Sequence, residues 1–207
     1  MRALVCNEYG PQESLVIEVQ PDPVPGKGEI LVDVAAAGIN FPDVLSIAGK
    51  YQVKTPTPFV AGNEAAGVVS ALGEGVSHYS VGDRVIITTR GGTFAEKCVA
   101  EAMTSMPLPD GLSFEQGAGF AVTYGTSYHA LKQSANLQAG ETVLVLGAAG
   151  GVGITAVEIA KTMGAKVIAA TSTEEKLEFA RSAGADETIN YSEVPLKETV
   201  KELTDGK

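Results

Sequence analysis

Thr142-Val-Leu-Val-Leu-Gly147-Ala-Ala-Gly150-Gly151-Val-Gly153 decides how the chain is read. An apolar run ends at a cluster of glycines, and a segment with helical spacing follows at once. The pattern predicts a strand, a tight turn and a helix. Ala148, Gly150 and Gly153 keep the spacing G-x-G-x-x-G, with alanine in the first place. Small residues there let the backbone turn sharply and approach a pyrophosphate, and the last one lets helix and strand pack closely. The helix start offers free N–H groups and a positive dipole end to phosphates. The expected ligand is therefore a dinucleotide.

Outward toward the C-terminus, strand and helix alternate. The helix is expected over Gly151–Met163, its inner face drawn from Val152, Ala156, Val157, Ile159, Ala160 and Met163, with Gly164 as its stop. Lys166–Ala170 reads as a second strand. Ser172-Thr-Glu-Glu175 reads as a capping box that opens a helix ending near Gly184. Glu187–Asn190 is a third strand. Leu196, Val200 and Leu203 mark a last helix, which ends at Asp205-Gly206. This succession implies a parallel sheet with right-handed crossovers. The six-stranded dinucleotide fold needs a second half beyond that point, and without it one edge of the sheet lies open. Either a continuation or a partner must cover that edge, and a continuation is the expectation.

Toward the N-terminus, Val122–Leu131 reads as helix, and Ser113-Phe-Glu-Gln116 as the capping box of another. Residues 1 to about 110 are β-rich. Ala3-Leu4-Val5, Leu15–Val19, Ile30–Ala35, Ala66–Val69, Arg84–Thr88 and Phe94–Ala100 alternate with Gly and Pro punctuation. Many short strands and frequent turns predict a small barrel or sandwich. One short helix interrupts them, with Asn40 as cap, Pro42 in the first turn, Asp43 at the third position and Gly49 as stop.

The 207 residues are 44% hydrophobic and 19% charged, and the net charge is −10. That balance supports a packed core and argues against electrostatic nucleic-acid binding. Cys6 and Cys98 cannot build a disulfide framework and fit a reducing compartment. The apolar stretch from Thr142 to Val157 is too short and too glycine-rich to span a membrane. The chain is expected to be soluble and cytoplasmic.

Several stretches together resemble the medium-chain dehydrogenase/reductase superfamily: Gly38-Ile-Asn40-Phe-Pro-Asp43, Gly49-Lys-Tyr51, Gly62-Asn-Glu64-Ala-Ala-Gly67, Val81-Gly-Asp83-Arg-Val and Ala148-Ala-Gly-Gly-Val-Gly153. The set is most similar to the zinc-independent quinone oxidoreductase branch. The resemblance covers residues 1–207. It implies a GroES-like catalytic domain over 1–121 and the N-terminal half of a Rossmann NADP-binding domain over 122–207, with a continuation absent from the sequence. Where the zinc enzymes of the superfamily place a Cys and a His, this chain has Asn40 and Asn63. Amides are poor zinc ligands beside thiolate and imidazole, so no metal is expected.

The cofactor implied is NADPH. The second strand ends Ala169-Ala-Thr171-Ser172-Thr173, with no carboxylate for a ribose 2′-OH before Glu174. Small hydroxylated residues such as Ser172 leave room for a 2′-phosphate. The resemblance adds Lys176 and Tyr191 as its partners, Ala149, Gly150, Gly151 and Val152 at the phosphate turn, and Thr123 beside the nicotinamide ribose or carboxamide. It assigns Tyr51 a place facing the acceptor, as a hydrogen-bond donor or proton source, and Asn40 a place near the nicotinamide. Asn40 also has a sufficient role as a helix cap. Glu64, His78, His129, Cys6 and Cys98 are assigned no chemistry.

The implied activity is hydride transfer from NADPH to a quinone. One alternative keeps the cofactor and reduces an activated C=C bond, in an enone or an enoyl thioester. Another is a non-catalytic nucleotide-binding protein or an inactive fragment. The partner is a small-molecule acceptor, with neither nucleic acid nor membrane, and the branch also implies a homodimer.

Overall fold

Strand β1 (Arg2–Cys6) pairs antiparallel with β2 (Val16–Val19) in a computed structural model that describes residues 1–206. Further along come β3 (Glu29–Gly38), helix α1 (Phe41–Ile47), β4 (Phe59–Val60), β5 (Glu64–Leu72), β6 (Arg84–Thr88), β7 (Lys97–Glu101), β8 (Met106–Pro107) and helix α2 (Phe114–Ala118). The strands form two antiparallel sheets, one in the order β7-β3-β5-β6-β8 and one in the order β2-β1-β4. At Leu4 of β1 the N–H donates to the Phe94 carbonyl and the carbonyl accepts from the Ala61 N–H. Ile30, Val32, Ala65, Val69, Val85 and Ile87 fill the core of the larger sheet. Their alternation along β3, β5 and β6 is the period of a half-buried strand.

Two details differ from the pattern reading. Phe94, Ala95 and Glu96 lie outside β7, and Ala95 bridges Ala3 instead of continuing the β7 ladder. The two-residue strands β4 and β8 are too short to leave a periodic signal. Pro107 sits in β8 at the sheet edge, where a missing N–H costs no ladder bond.

The chain forms two compact units, Met1–Val122 and Thr123–Lys207. Helix α3 (Ala121–Tyr128) carries the change-over and runs into a π-helical turn over His129–Ser134, where one continuous helix was expected. In the second unit β9 (Thr142–Leu146), α4 (Gly151–Thr162), β10 (Lys166–Thr171), α5 (Glu174–Ser182), β11 (Glu187–Asn190) and α6 (Leu196–Leu203) alternate as the sequence predicts. The sheet is parallel, in the order β11-β10-β9. Val167, Ile168, Ala169 and Ala170 of β10 are fully buried, as a central strand covered on both faces requires. Strand β9 lies at an edge, and its Leu146 is 60% exposed.

The expected capping box at Ser172 is not formed. Thr173 is the N-cap of α5, and its hydroxyl accepts the Lys176 N–H at 3.4 Å. The helix thus starts one residue later than Ser172 implied, and Thr173 competes for the cap with an equally suitable hydroxyl.

Candidate functional site

In the first unit a cleft of about 500 Å³ is lined by α1, the segment after it, and the residues beside β5 and β6. Asn40, Ser46, Tyr51, Asn63, Thr89 and Arg90 face it. Helix α1 begins at Asn40 because Asp43 closes a capping box: its Oδ2 accepts the Asn40 N–H at 2.7 Å. The helix ends because Gly49 takes φ +65°, which an L side chain resists, and a Cβ there would meet the Tyr9 ring at 2.8 Å. The N–H groups of Lys50 and Tyr51 then bond back to the Leu45 carbonyl. The Tyr9 hydroxyl donates to the Thr55 carbonyl at 2.7 Å and holds the segment that follows. Tyr51 is therefore presented to the cleft by a pinned loop.

Behind the cleft lie two buried carboxylates, Asp43 and Glu64. Asn63 Nδ2 donates to Asp43 Oδ1 at 2.5 Å, and Asn40 Nδ2 donates to Glu64 Oε2 at 3.0 Å. Glu64 Oε1 accepts the Val122 N–H at 2.9 Å, at the start of α3. Burial pushes both carboxyl pKa values up. For Asp43 the donors Asn40 and Asn63 oppose the rise, and for Glu64 the donors Val122, Asn40 and Ala121 do. In the sequence reading Asn63 entered only as a place without a zinc ligand, and Glu64 was assigned no chemistry. Their signal there is a polar Asn-Glu pair directly before the apolar run of β5.

The residues around this cleft do not fit zinc. The available nitrogens are amides already donating to carboxylates, and both Asp43 oxygens are engaged. Among the described residues no three His, Cys, Asp or Glu side chains are grouped to hold a metal.

The second unit carries the glycine turn. Gly147 ends β9 at φ +65°, and Gly150 is the N-cap of α4 with no side chain capping the helix. A Cβ on Gly153 would lie 2.3 Å from the Gly147 carbonyl oxygen, so only glycine lets the helix start this close to the strand. Ala149, Gly150, Gly151 and Val152 form the turn and the first residues of α4; the Gly150 N–H donates to the Gly147 carbonyl at 2.9 Å, while the first helical N–H groups have no intrahelical partner. Their arrangement fits a dinucleotide pyrophosphate: a tight turn, an uncapped helix start and no bulky side chain.

Thr123 packs on this turn. A Cβ on Gly151 would sit 3.2 Å from its methyl group, and Thr155 Oγ1 donates to its carbonyl at 3.2 Å. The buried Ser127 and Thr155 hydroxyls lie 2.8 Å apart, and Ser127 Oγ donates to the Val152 carbonyl at 2.8 Å. This pair fixes α3 against the first turn of α4. Sequence reasoning missed it, although Thr123 and Ser127 share a helix face at i, i+4.

Ser172 and Tyr191 directly follow the ends of β10 and β11, and Lys176 lies in the first turn of α5. The Tyr191 N–H donates to the Thr171 carbonyl at 3.0 Å, and Thr171 pairs in register with Asn190. Ser172 offers a hydroxyl there, while the buried Thr171 hydroxyl donates to the Thr173 carbonyl at 3.2 Å, the Thr173 hydroxyl caps α5 and Glu174 is occupied by Arg181 at 2.6 Å. Lys176 and Tyr191 are exposed.

The pattern that defines the alcohol dehydrogenase GroES-like domain matches residues 26–131, and that of the zinc-binding dehydrogenases matches residues 151–207. The quinone oxidoreductase-like protein 2 homolog of Nematostella vectensis is 45% identical over 99% of this chain. Human quinone oxidoreductase is 37% identical over 100% of it. The chain spans 56% and 64% of those two relatives. The structure of Escherichia coli quinone oxidoreductase complexed with NADPH superimposes with a TM-score of 0.95 at 36% identity, covering all of this chain and 64% of that one. No helix among the described residues is long and apolar enough to cross a membrane. With a GroES-like part followed by a Rossmann-type β-α-β part, the chain belongs to the zinc-independent quinone oxidoreductase branch of the medium-chain dehydrogenase/reductase superfamily.

Proposed function

We propose that the protein is a cytoplasmic NADPH-dependent quinone oxidoreductase that works without zinc. Residues 1–121 supply the acceptor site as a GroES-like catalytic domain, and 122–207 hold the cofactor as the first half of a Rossmann domain. The observation that carries the reading is the cleft of the first unit, where a phenol and two carboxylate-held amides stand in place of metal ligands. Such a cleft has no Lewis acid, so it suits an acceptor that is already electron-poor. The relatives named quinone oxidoreductase, one of them complexed with NADPH, support the same chemistry.

When bound, the cofactor supplies the hydride, which with one proton converts a quinone to a hydroquinone. The chain's own residues bind, orient and donate protons. The turn residues Ala149, Gly150, Gly151 and Val152 hold the pyrophosphate at the start of α4. Ser172, Lys176 and Tyr191 hold the 2′-phosphate, and Thr123 contacts the nicotinamide side. Tyr51 donates a hydrogen bond to the oxygen on which charge develops, and Asn40, held by Glu64, lines the site beside it. The acceptor is a small molecule; a net charge of −10 opposes nucleic acid. The homodimer that the branch implies is checked by light scattering.

The test is NADPH oxidation by the full gene product with a simple quinone, and NADH as control. Quinone-dependent oxidation of NADPH in preference to NADH is expected. Oxidation by enones but not by quinones would replace the reading with an activated C=C reductase. Bound NADPH with no oxidation by either would make the protein a non-catalytic nucleotide binder.

A further inference from the structure

The acceptor cleft has an uneven charge. The chain holds 25 acidic and 15 basic residues, yet the side chains lining this cleft include Lys54 and Arg90 and no Asp or Glu. Both cations are exposed, and neither forms an ion pair or hydrogen bond with another described residue, whereas Lys97, Lys161 and Arg181 are paired. Asp43 and Glu64 lie behind the lining, buried and bonded to amides and backbone N–H groups, and they pair with neither cation. Val53, Pro56 and Val122 supply an apolar wall to the same cleft. An apolar wall with two unpartnered cations suits a ligand with a flat hydrophobic body and a charged substituent. A guanidinium takes a carboxylate or phosphate through two parallel bonds, and an ammonium adds a point charge.

We infer that the acceptor taken by this cleft carries an anionic group, a carboxylate or a phosphate, bound by Lys54 and Arg90. The inference rests on the oxidoreductase reading and narrows it, from any electron-poor acceptor to an anionic one. Lys54 and Arg90 are thereby specificity-determining residues, and Tyr51 and Asn40 serve the reacting end.

The experiment compares three acceptors with one reacting core: 1,4-naphthoquinone, a naphthoquinone carboxylate and a naphthoquinone phosphate monoester. The readout is the ratio of kcat/KM for each anionic compound to kcat/KM for the neutral one. The ratio is expected to exceed one for at least one anion, and the larger of the two identifies carboxylate or phosphate as the group. Lys54→Gln and Arg90→Gln should each lower the ratio about two- to fivefold, and together roughly tenfold, as loss of exposed charge pairs does. Lys54→Arg and Arg90→Lys should keep most of it. Raising the ionic strength from about 0.01 M to about 0.15 M should also lower the ratio, because the screening length falls from about 30 to about 8 Å. Ratios near one for both anions, or ratios unmoved by the double variant, overturn the inference while leaving quinone reduction intact. A double variant that weakens NADPH binding and leaves the ratios alone assigns the cations to the cofactor and also overturns it. If no acceptor is reduced, the activity reading has failed, and calorimetric binding of the two anions to wild type and double variant still decides the inference: equal affinities refute it.

Discussion

Gly153→Ala tests the packing on which the phosphate turn depends. The new methyl carbon would stand 2.3 Å from the Gly147 carbonyl oxygen, 2.8 Å from Ala148 Cα and 2.9 Å from the Gly147 carbonyl carbon. A relaxed C···O contact is about 3.3 Å, so the helix start must retreat by about 1 Å. All three obstructing atoms belong to the backbone of the turn, so no side chain can rotate away. Retreat is resisted further along α4, where Val157 and Ala160 are fully buried against the sheet. Overpacking of this kind costs about 1–3 kcal/mol. Alanine's better helix propensity returns about 1 kcal/mol. The net expectation is a loss of up to about 2 kcal/mol, read as a urea midpoint lowered by up to about 1 M when the slope is near 2 kcal/mol/M. Far-UV circular dichroism follows the unfolding, and calorimetry measures NADPH affinity, which should fall at least tenfold because the displaced helix start no longer meets the phosphates. Gly150→Ala is the control. Gly150 has φ −77° and ψ 164°, and its Cβ would stand 3.4 Å from the same oxygen, so alanine fits with a loss below about 1 kcal/mol. If Gly153→Ala unfolds at the wild-type urea concentration and binds NADPH as wild type does, close strand–helix approach is not what builds this turn.

Three further outcomes are expected. Tyr51→Phe keeps the ring that lines the cleft and removes its hydroxyl; kcat with a quinone should fall roughly tenfold or more, and unchanged turnover and acceptor affinity would remove Tyr51 from the mechanism. Lys176→Ala should weaken NADPH binding about tenfold and leave NADH binding nearly unchanged, since only the 2′-phosphate distinguishes the two; equal losses for both cofactors would place Lys176 elsewhere. Burial raises the Glu64 and Asp43 carboxyls above their unfolded values, so the folded state holds those protons more tightly. Their contribution is whole below the ordinary carboxylate range, near pH 4, and is lost as pH rises through the raised folded values. Glu64→Gln removes the Glu64 share, so its urea midpoint should fall less than that of wild type between pH 4 and 7, and equal slopes would refute the account.

The second unit was the more legible in sequence because each of its elements carries its own local signal. Thr142–Leu146 and Glu187–Asn190 are strands with the bounds that their apolar runs predict, and Gly164 takes the positive φ that stops α4. Misreadings fell where two local solutions compete. Ser172 and Thr173 are both good caps, and tertiary placement of α5 selects Thr173. The end of α3 loosens into a π turn, which no periodicity announces. In the first unit the strands were visible, but their pairing was not: β3 lies between β5 and β7, contacts made across long stretches of chain. The charged lining of the cleft was hidden for the same reason. Lys54 and Arg90 are 36 positions apart in sequence, and no local motif links them.

Asn40 and Asn63 show why two asparagines can occupy a place that thiolate and imidazole hold in zinc enzymes. A buried carboxylate accepts hydrogen bonds and cannot donate them when ionised, so the partner of Glu64 and the partner of Asp43 must each be the NH₂ end of an amide. That requirement fixes the orientation of both asparagines. Each NH₂ has a second hydrogen, and each residue lines the cleft. The two carboxylates therefore act as anchors that turn the amides into oriented N–H dipoles without placing a full positive charge on the cleft floor. For an alcohol or an unactivated carbonyl such dipoles would be a weak substitute for a metal ion. For an acceptor whose charge spreads over a conjugated ring, fixed donors of modest strength are sufficient, because they need no reorganisation when the charge arrives. Under the proposed activity, asparagines at these two places and an electron-poor acceptor belong together, with the buried acids orienting the amides.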